Sequence, residues 1–302
     1  MKDANTFKQY TWLINTIKNA RRINFQRIQK LWIEDDVNNQ KELSRTTFHR
    51  LKEAVEEMFG IRIECDNTNG YQYYIANPEA LKDHSTQNWM LQTLTVNNIL
   101  IDSLAIKDRL VLEEVPSGME YLPIIIKALK NNKVLRMGYK KFSDTDDYVT
   151  LIQPYCLKMF RQRWYLLGRS EKKNNKLVIY ALDRITQLET TSQSFELDPD
   201  FDADTFLKDI FGVFLDQDKR PTRIVLRAYG KMIPLLRTLP KHHSQKEIAT
   251  EKDHSDFEYH LAPSFDFRQE ILKEGHELEV IEPLSLRKMI REELLKTMEL
   301  YQ

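Results

Sequence analysis

The stretch that decides the fold class is RQRWYLLGRS, residues Arg161–Ser170. It has the apolar density of a buried strand, yet it carries three arginines and an adjacent Trp-Tyr pair. Because side chains alternate along a strand, Trp164 and Leu166 share one face, whereas Arg163 and Tyr165 share the other. The pattern predicts a strand with one core face and one face that presents arginine beside an aromatic ring.

Strand-like segments surround this stretch and are separated by polar turns. They are VLRMGYKKF, YVTLIQPYCLKMF, KLVIYAL and RITQLETT. Five short strands over residues 132–192 predict a small β-barrel.

Residues 133–187 hold twelve cations and five acids, a net charge of plus seven. Arginine offers forked donors to phosphate and an aromatic ring stacks on a base, so this face fits single-stranded nucleic acid. The alternative to nucleic-acid binding is that Tyr165 is an ordinary core residue and that the cations are solvated charges on the barrel surface.

Residues 1–80 are predicted to form three helices followed by a hairpin. Ser44 is a good N-cap for the third helix, SRTTFHRLKEAVEEMFG, and Gly60 ends it. The strand-like segments IRIEC and YQYYI flank DNTNG, where Asn69 and Gly70 favour a tight turn. This order of elements predicts a winged helix-turn-helix.

The N-terminal region is locally basic. Residues 1–33 hold seven cations and one acid, a net charge of plus six. A recognition helix reads base edges with its first turns, while neighbouring cations contact phosphates. The alternative is a solvated amphipathic helix in a small helical domain. The predicted DNA-binding residues are Arg22, Arg27, Arg45, Thr46, Thr47, His49, Arg50 and Lys52.

Three further regions complete the chain. Residues 81–131 are predicted to form a helical linker. The segment 193–220, here called the connector, is acidic and contains a proline that interrupts regular structure. Residues 221–302 combine strands such as TRIVLRAY and HELEVIE with a closing helix, which predicts a small α/β domain. The predicted fold class is therefore α+β and multidomain.

Several function classes are disfavoured by the sequence. The 45 cations balance the 45 acids, and two distant cysteines offer no metal-ligand spacing. The N-terminus lacks a signal peptide's apolar core, and no run approaches the roughly 20 apolar residues of a membrane span. We therefore expect a cytoplasmic protein.

Motifs of catalysis are also missing from the sequence. It contains no glycine-rich phosphate loop, nucleophile elbow or zinc-protease motif, and the histidines between 242 and 260 lack the spacing of a zinc site. We expect no metal, no cofactor and no enzyme. A hydrolase or nuclease would need carboxylates beside Arg163 and Arg184, and Asp183 is the only nearby candidate.

The segment PYCLKMFRQRWYLLGRS followed by YALDRI resembles the signature of the WYL-domain family, named for the triplet that stands here at residues 164–166. The preceding helices and the ending LEVIEPLSLRKMIREELLKTMELY resemble the parts that flank this domain in bacterial regulators. The resemblance implies an Sm-like barrel with an effector pocket for nucleic acids or nucleotides. The pocket residues that it implies are Tyr139, Lys158, Arg161, Arg163, Tyr165 and Arg184.

The leading hypothesis is a ligand-responsive bacterial transcriptional regulator that binds double-stranded operator DNA. We expect a homodimer, because operators are usually paired half-sites one helical turn apart. A helix over residues 86–113 and the C-terminal domain are expected to contribute to the dimer. The alternative is a nucleic-acid-binding accessory module that regulates an enzyme or a phage-defence system.

Overall fold

The computed structural model describes residues 2–81, 86–102, 109, 118–141, 147–216 and 220–302. The chain divides into two compact units, residues 1–112 and 113–302. Both combine helices with antiparallel sheets, which confirms the predicted α+β class. Across the described parts of the chain, no helix has the length and apolar character needed to cross a membrane.

The N-terminal unit contains the predicted succession of three helices and a hairpin. A short strand between the first two helices joins the hairpin, and the sheet order is β1-β3-β2. The elements are α1 (Lys2–Ala20), β1 (Ile23–Asn24), α2 (Phe25–Glu34), α3 (Arg45–Phe59), β2 (Ile63–Asp66), β3 (Gln72–Ile75) and α4 (Thr86–Asp102). The buried core between them includes Leu13, Ile17, Ile28, Trp32, Phe48, Leu51 and Val55.

Side-chain caps position the two helices that follow β1. The Asn24 side chain accepts the backbone N–H of Arg27 at 2.9 Å and starts α2. Ser44 accepts the N–H of Thr47 at 3.1 Å and starts α3. Gly60 ends α3 with φ 64°, a left-handed conformation that glycine adopts without the steric cost of a Cβ atom. The boundaries of α3 predicted from the sequence are therefore confirmed.

The hairpin turn is longer than the two-residue turn predicted at Asn69 and Gly70. Asp66 pairs with Gln72, so five residues form the loop between the strands. The left-handed positions are Gly70 and Tyr71, with φ 74° and 54°. The Asp66 carboxylate accepts two backbone N–H groups of the loop, and these bonds stabilise the wider turn.

The first sheet of the second unit contains the five strands predicted from the sequence. Its strand order is β7-β6-β5-β4-β8, and all pairs are antiparallel. The elements are α5 (Leu122–Lys130), β4 (Lys133–Tyr139), β5 (Tyr148–Phe160), β6 (Arg163–Ser170), β7 (Lys176–Ala181) and β8 (Ile185–Ser194). Helix α5 packs on this sheet, although the sequence placed it in the linker. Residues 82–85, 103–108 and 110–117 of the predicted linker lie outside the described residues.

A second sheet with order β10-β11-β9-β12 forms the C-terminal part of this unit. Its elements are α6 (Ala203–Leu207), β9 (Thr222–Tyr229), α7 (Met232–Thr238), β10 (Lys246–Thr250), β11 (His254–Leu261), α8 (Phe265–Lys273), β12 (Leu278–Glu282) and α9 (Leu284–Glu299). The closing helix α9 buries Leu286 and Ile290, but Leu294 and Met298 on its predicted apolar side are 45% and 58% exposed. Only the first half of that side therefore packs on the sheet.

The connector packs against the first sheet. The ring of Phe201 meets Tyr155 on β5 edge to face at 4.8 Å, and Phe195 stacks on the same tyrosine at 6.1 Å. Tyr165 on β6 is only 8% exposed. The sequence left open whether Tyr165 is presented beside arginine or is ordinary core, and its burial favours the core alternative for this ring.

Candidate nucleic-acid interface and effector site

Helix α3 presents three of its predicted DNA-binding residues on one open surface. Thr46, His49 and Arg50 are exposed within its first two turns, while Phe48 and Leu51 are buried on the opposite side. The capped N-terminus holds these turns in helical geometry. The structure therefore brings together polar side chains of the kind that reach base edges.

Two neighbouring predicted residues have defined partners, and a third is half-buried. The backbone N–H and hydroxyl of Thr47 both bond to Ser44, so this threonine completes the cap. The guanidinium of Arg45 lies over the Phe25 ring, 4.8 Å from its centroid. Lys52 is half-buried. Thr47 and Arg45 therefore help to hold the start of α3 in place, and Arg45 and Lys52 add positive charge near it.

The other two predicted cations lie beside carboxylates. Arg22 Nη1 is 2.5 Å from Asp66 Oδ2, and its guanidinium lies 4.9 Å from the Tyr74 centroid. Hydrogen bonds from loop side chains and from Arg22 hold the pKa of Asp66 well below its usual range. Arg27 is 3.8 Å from Glu34, a longer and exposed ion pair. A phosphate must compete with these carboxylates for either arginine.

A cavity of about 310 Å³ lies between the start of α2, the start of α3 and the hairpin loop. Phe25, Arg45, Tyr71 and Tyr73 line it. Tyr71 is 67% exposed at the tip of the hairpin. Sequence reasoning missed this tyrosine, although its place directly after Asn-Gly indicated an exposed loop position.

On the five-stranded sheet, three predicted effector residues share one face. Lys158 on β5 lies directly opposite Tyr165 on β6, and the Arg163 guanidinium is 5.7 Å from the Tyr165 centroid. Arg163 makes a two-pronged contact with Asp183, with N–O distances of 2.6 and 3.3 Å. Burial works against the charge of Arg163, but the bonds to Asp183 raise its pKa above the usual value.

Tyr139 and Arg184 form a second pair beside the first. The Arg184 guanidinium lies 5.0 Å from the Tyr139 centroid, and its Nε donates to the Lys140 carbonyl at 2.9 Å. The Tyr139 hydroxyl accepts the N–H of Ala181, and burial raises the pKa of this phenol. Because Asp183 and Arg184 are consecutive, the two arginine–tyrosine pairs adjoin. Together they form a cationic and aromatic cluster.

Two predicted effector residues have partners away from this cluster. Arg161 occupies the β5–β6 turn with φ 49° and hydrogen bonds to Glu270 on α8. The Lys158 ammonium donates to the carbonyls of Ile210 and Gly212 at 3.4 and 2.5 Å, and burial lowers its pKa. These contacts account for part of the positive charge in and near RQRWYLLGRS, since Lys158 joins the first sheet to the connector and Arg161 joins it to α8.

Glu270 is the centre of an ion network that sequence reasoning missed, in which Glu270 and Lys241 are nearly buried and Arg161 is exposed. Its side chain contacts both Arg161 and Lys241, the latter at 2.6 Å. Lys241 also contacts Glu274 at 2.6 Å. These four residues come from a β turn, a loop and α8, so no local sequence pattern links them.

Among the histidines between 242 and 260, His242 is half-buried. Its Nε2 donates to the Lys208 carbonyl at 2.9 Å, and its Nδ1 accepts from the Ser244 hydroxyl at 2.7 Å. Burial lowers the pKa of His242 from its ordinary 6.5 to about 4. Within the described ranges, no three or more His, Cys, Asp or Glu side chains are grouped so as to hold a metal ion.

Comparison with protein families gives two matches in the second unit. The WYL domain model matches residues 120–190, which hold α5, most of the five-stranded sheet and the cationic and aromatic cluster. The WCX domain model matches residues 220–298, which hold the C-terminal sheet. The chain belongs to the WYL-domain family. In the WYL domain, Tyr165 and Leu166 of the signature triplet are buried and Trp164 is half-buried.

The solved structures that match this chain have low sequence identity to it. Proteasome accessory factor B/C (PafBC) of Arthrobacter aurescens is 17% identical, with 81% of this chain and 39% of that chain covered and a TM-score of 0.30. A structure described as a CRISPR Cas-related protein is 12% identical, with 89% and 76% covered and a TM-score of 0.40. Such TM-scores do not establish a shared fold or function. No curated protein matches this chain in sequence.

Proposed function

We propose that this chain is a ligand-responsive bacterial transcriptional regulator that acts by binding and not by catalysis. In this proposal the N-terminal unit is a winged helix-turn-helix that binds operator DNA. The WYL domain is an Sm-like barrel that senses a nucleic-acid or nucleotide-like effector, and the regulator works in the cytoplasm as a homodimer.

The observation that carries the proposal is the open surface of α3. Thr46, His49 and Arg50 are exposed at the capped start of a helix that is followed directly by a hairpin, in a chain that also contains WYL and WCX domains. An exposed helix start with hydroxyl, imidazole and guanidinium groups offers both donors and acceptors to the major groove.

The cationic and aromatic cluster of the WYL domain supports the sensing role. Arginine lies over a buried tyrosine ring at Arg163–Tyr165 and at Arg184–Tyr139, so two adjacent guanidinium groups are positioned in a way that suits an anionic ligand. The single carboxylate that sequence reasoning offered to a hydrolase, Asp183, is held by Arg163 in a two-pronged contact. Because the Asp183 carboxylate is engaged by Arg163, the contact favours a binding role over a catalytic role for the cluster.

Selection from a random duplex library tests the proposal. The full chain is incubated with the library in low salt, and bound duplexes are amplified and sequenced over several rounds. A regulator enriches one motif, whereas an accessory module without a sequence-specific promoter role binds duplexes with no common motif. A chain with no duplex binding in low salt would refute DNA recognition by α3.

A further inference from the structure

A cavity of about 580 Å³ lies away from the cationic and aromatic cluster, between the β6–β7 hairpin, the connector and the start of α8. Its volume falls in the range of roughly 300–1,000 Å³ that small-molecule sites occupy. All of its lining residues belong to the second unit. None of the six predicted effector residues lines it.

One wall of the cavity is cationic and polar. Arg169 is fixed there, because its Nε donates to the Tyr155 hydroxyl at 2.6 Å and its Nη1 donates to the Asn175 carbonyl at 3.3 Å. Lys176 lies on the same hairpin and is exposed. Among the described residues, none forms an ion pair with Lys176. This wall therefore offers one positioned cation and one unengaged cation to an anionic group.

The cavity also has an aromatic and acidic lining, here called its aromatic wall. Phe206 and Phe214 belong to it and are 36% and 53% exposed, and so does Asp209, whose carboxylate lies 3.9 Å from the His260 ring. Exposed phenylalanine rings at the edge of a cavity are available to stack on a planar group. An aspartate next to them accepts hydrogen bonds from amino or hydroxyl groups.

The backbone that carries Phe214 is held in place. The Asp266 carboxylate accepts the N–H groups of Val213 and Phe214 at 2.7 and 2.8 Å. Gly212 has φ 78°, and a Cβ atom there would lie 2.3 Å from an Asp266 oxygen, so the turn requires glycine. Lys158 also bonds to the Gly212 carbonyl. The aromatic wall is thus a preorganised part of the fold.

We infer that this cavity binds a planar aromatic molecule that carries an anionic group at one end and hydrogen-bond donors at the other. The anion contacts Arg169 and Lys176, the ring lies against Phe214, and the donors face Asp209. A mononucleotide and an aromatic amino acid both have this chemistry. The inference rests on the proposed sensing role and places the effector here and not at the cationic and aromatic cluster.

Calorimetric titration of the full chain with AMP and with L-tryptophan tests the inference. Binding of either probe supports it, and the tighter one identifies the source of the ligand. If AMP binds, adenosine, which lacks the anion, and ribose 5-phosphate, which lacks the ring, should each bind at least tenfold more weakly. If neither AMP nor L-tryptophan binds at about 1 mM, the inference is overturned.

Substitutions locate the site. Phe214→Ala and Phe214→Leu should each weaken the bound probe roughly tenfold, because both remove the stacking ring while the leucine keeps an apolar side chain. Lys176→Gln should weaken it about tenfold as well. Lys173→Gln, a change of an exposed lysine in the same hairpin that does not line the cavity, should have no effect.

A further variant separates this inference from the proposed function. If Arg184→Ala abolishes probe binding and the Phe214 variants bind as the unaltered chain does, the effector site lies at the cationic and aromatic cluster and the inference is wrong. Duplex binding through α3 is measured independently of the probes. The regulator proposal can therefore stand when this inference fails, and a failure of duplex binding is seen in a measurement separate from probe binding.

Discussion

Arg50 lies on the open side of α3, one turn after the capped start, and none of the described residues forms an ion pair with it. If its guanidinium contacts a base edge, Arg50→Ala should cost about 1–3 kcal/mol and relax discrimination at one operator position. Fluorescence anisotropy with the selected duplex and its single-base variants measures both effects.

Two matched variants show whether the Arg50 effect is specific. Arg22→Ala should weaken all sequences alike and reduce the salt slope by roughly 0.9 for one lost phosphate contact. Lys130→Ala removes an exposed cation of the second unit and should change neither quantity. Equal losses of Arg50→Ala on every duplex would contradict base readout by this residue.

His242 links protonation to the stability of the second unit. Its folded-state pKa of about 4 lies below the ordinary 6.5 because burial disfavours the charged ring. As the pH falls from 6.5 to 4 the unfolded chain takes up this proton while the folded chain does not. The contribution of His242 is therefore fully present above pH 6.5 and is lost through this window.

We expect the melting temperature to fall between about pH 7 and about pH 5, and to fall less in His242→Gln, which keeps one donor and one acceptor. Thermal denaturation followed by circular dichroism gives the two differences. Identical pH dependence of both proteins would show that the imidazole is not held neutral in the folded chain.

Among the structural elements, α8 is joined by buried charge to the loop that carries Lys241. Lys241 is 10% exposed and pairs with both Glu270 and Glu274. Lys241→Ala leaves these carboxylates without their shared cation, so the free energy of unfolding of this unit should fall by about 3–5 kcal/mol. Urea denaturation measures the loss, and Lys246→Ala, an exposed lysine on β10, should cost under about 0.5 kcal/mol.

Elements with local signals could be predicted from the sequence, and the packing between them could not. Ser44 and Gly60 mark the ends of α3, and alternation marks the five strands of the WYL domain, because caps and strand periodicity are encoded by neighbouring residues. The packing of the connector on Tyr155 depends on aromatic residues within a segment whose acidic composition indicated a connector without regular structure.

The candidate site shows the same division. The arginine–tyrosine neighbours at Arg163 and Arg184 follow from the signature and from strand alternation. The engagement of Lys158 by the connector and of Arg161 by α8 joins residues about 50 or more positions apart, which no local pattern reports. The 580 Å³ cavity also draws on three distant segments, so it becomes visible only in the folded chain.

At the scale of the whole molecule, we expect a homodimer. One recognition helix reads only a few base pairs, and the end of α9 leaves Leu294 and Met298 exposed for a second copy. Multi-angle light scattering at micromolar concentration should give twice the 36.0 kDa mass of the chain. Leu294→Lys should weaken the dimer at least tenfold while Lys288→Ala leaves it intact. A monomer mass both free and on DNA would refute this expectation.

Footprinting on the DNA upstream of the chain's own gene tests the central claim most directly, because a regulator that controls its own promoter protects a discrete site there. The account predicts two protected half-sites about one helical turn apart, with protection lost in Arg50→Ala and retained in Lys130→Ala. Uniform protection along the fragment, or no protection in low salt, would contradict the claim that α3 of this WYL-domain protein recognises an operator.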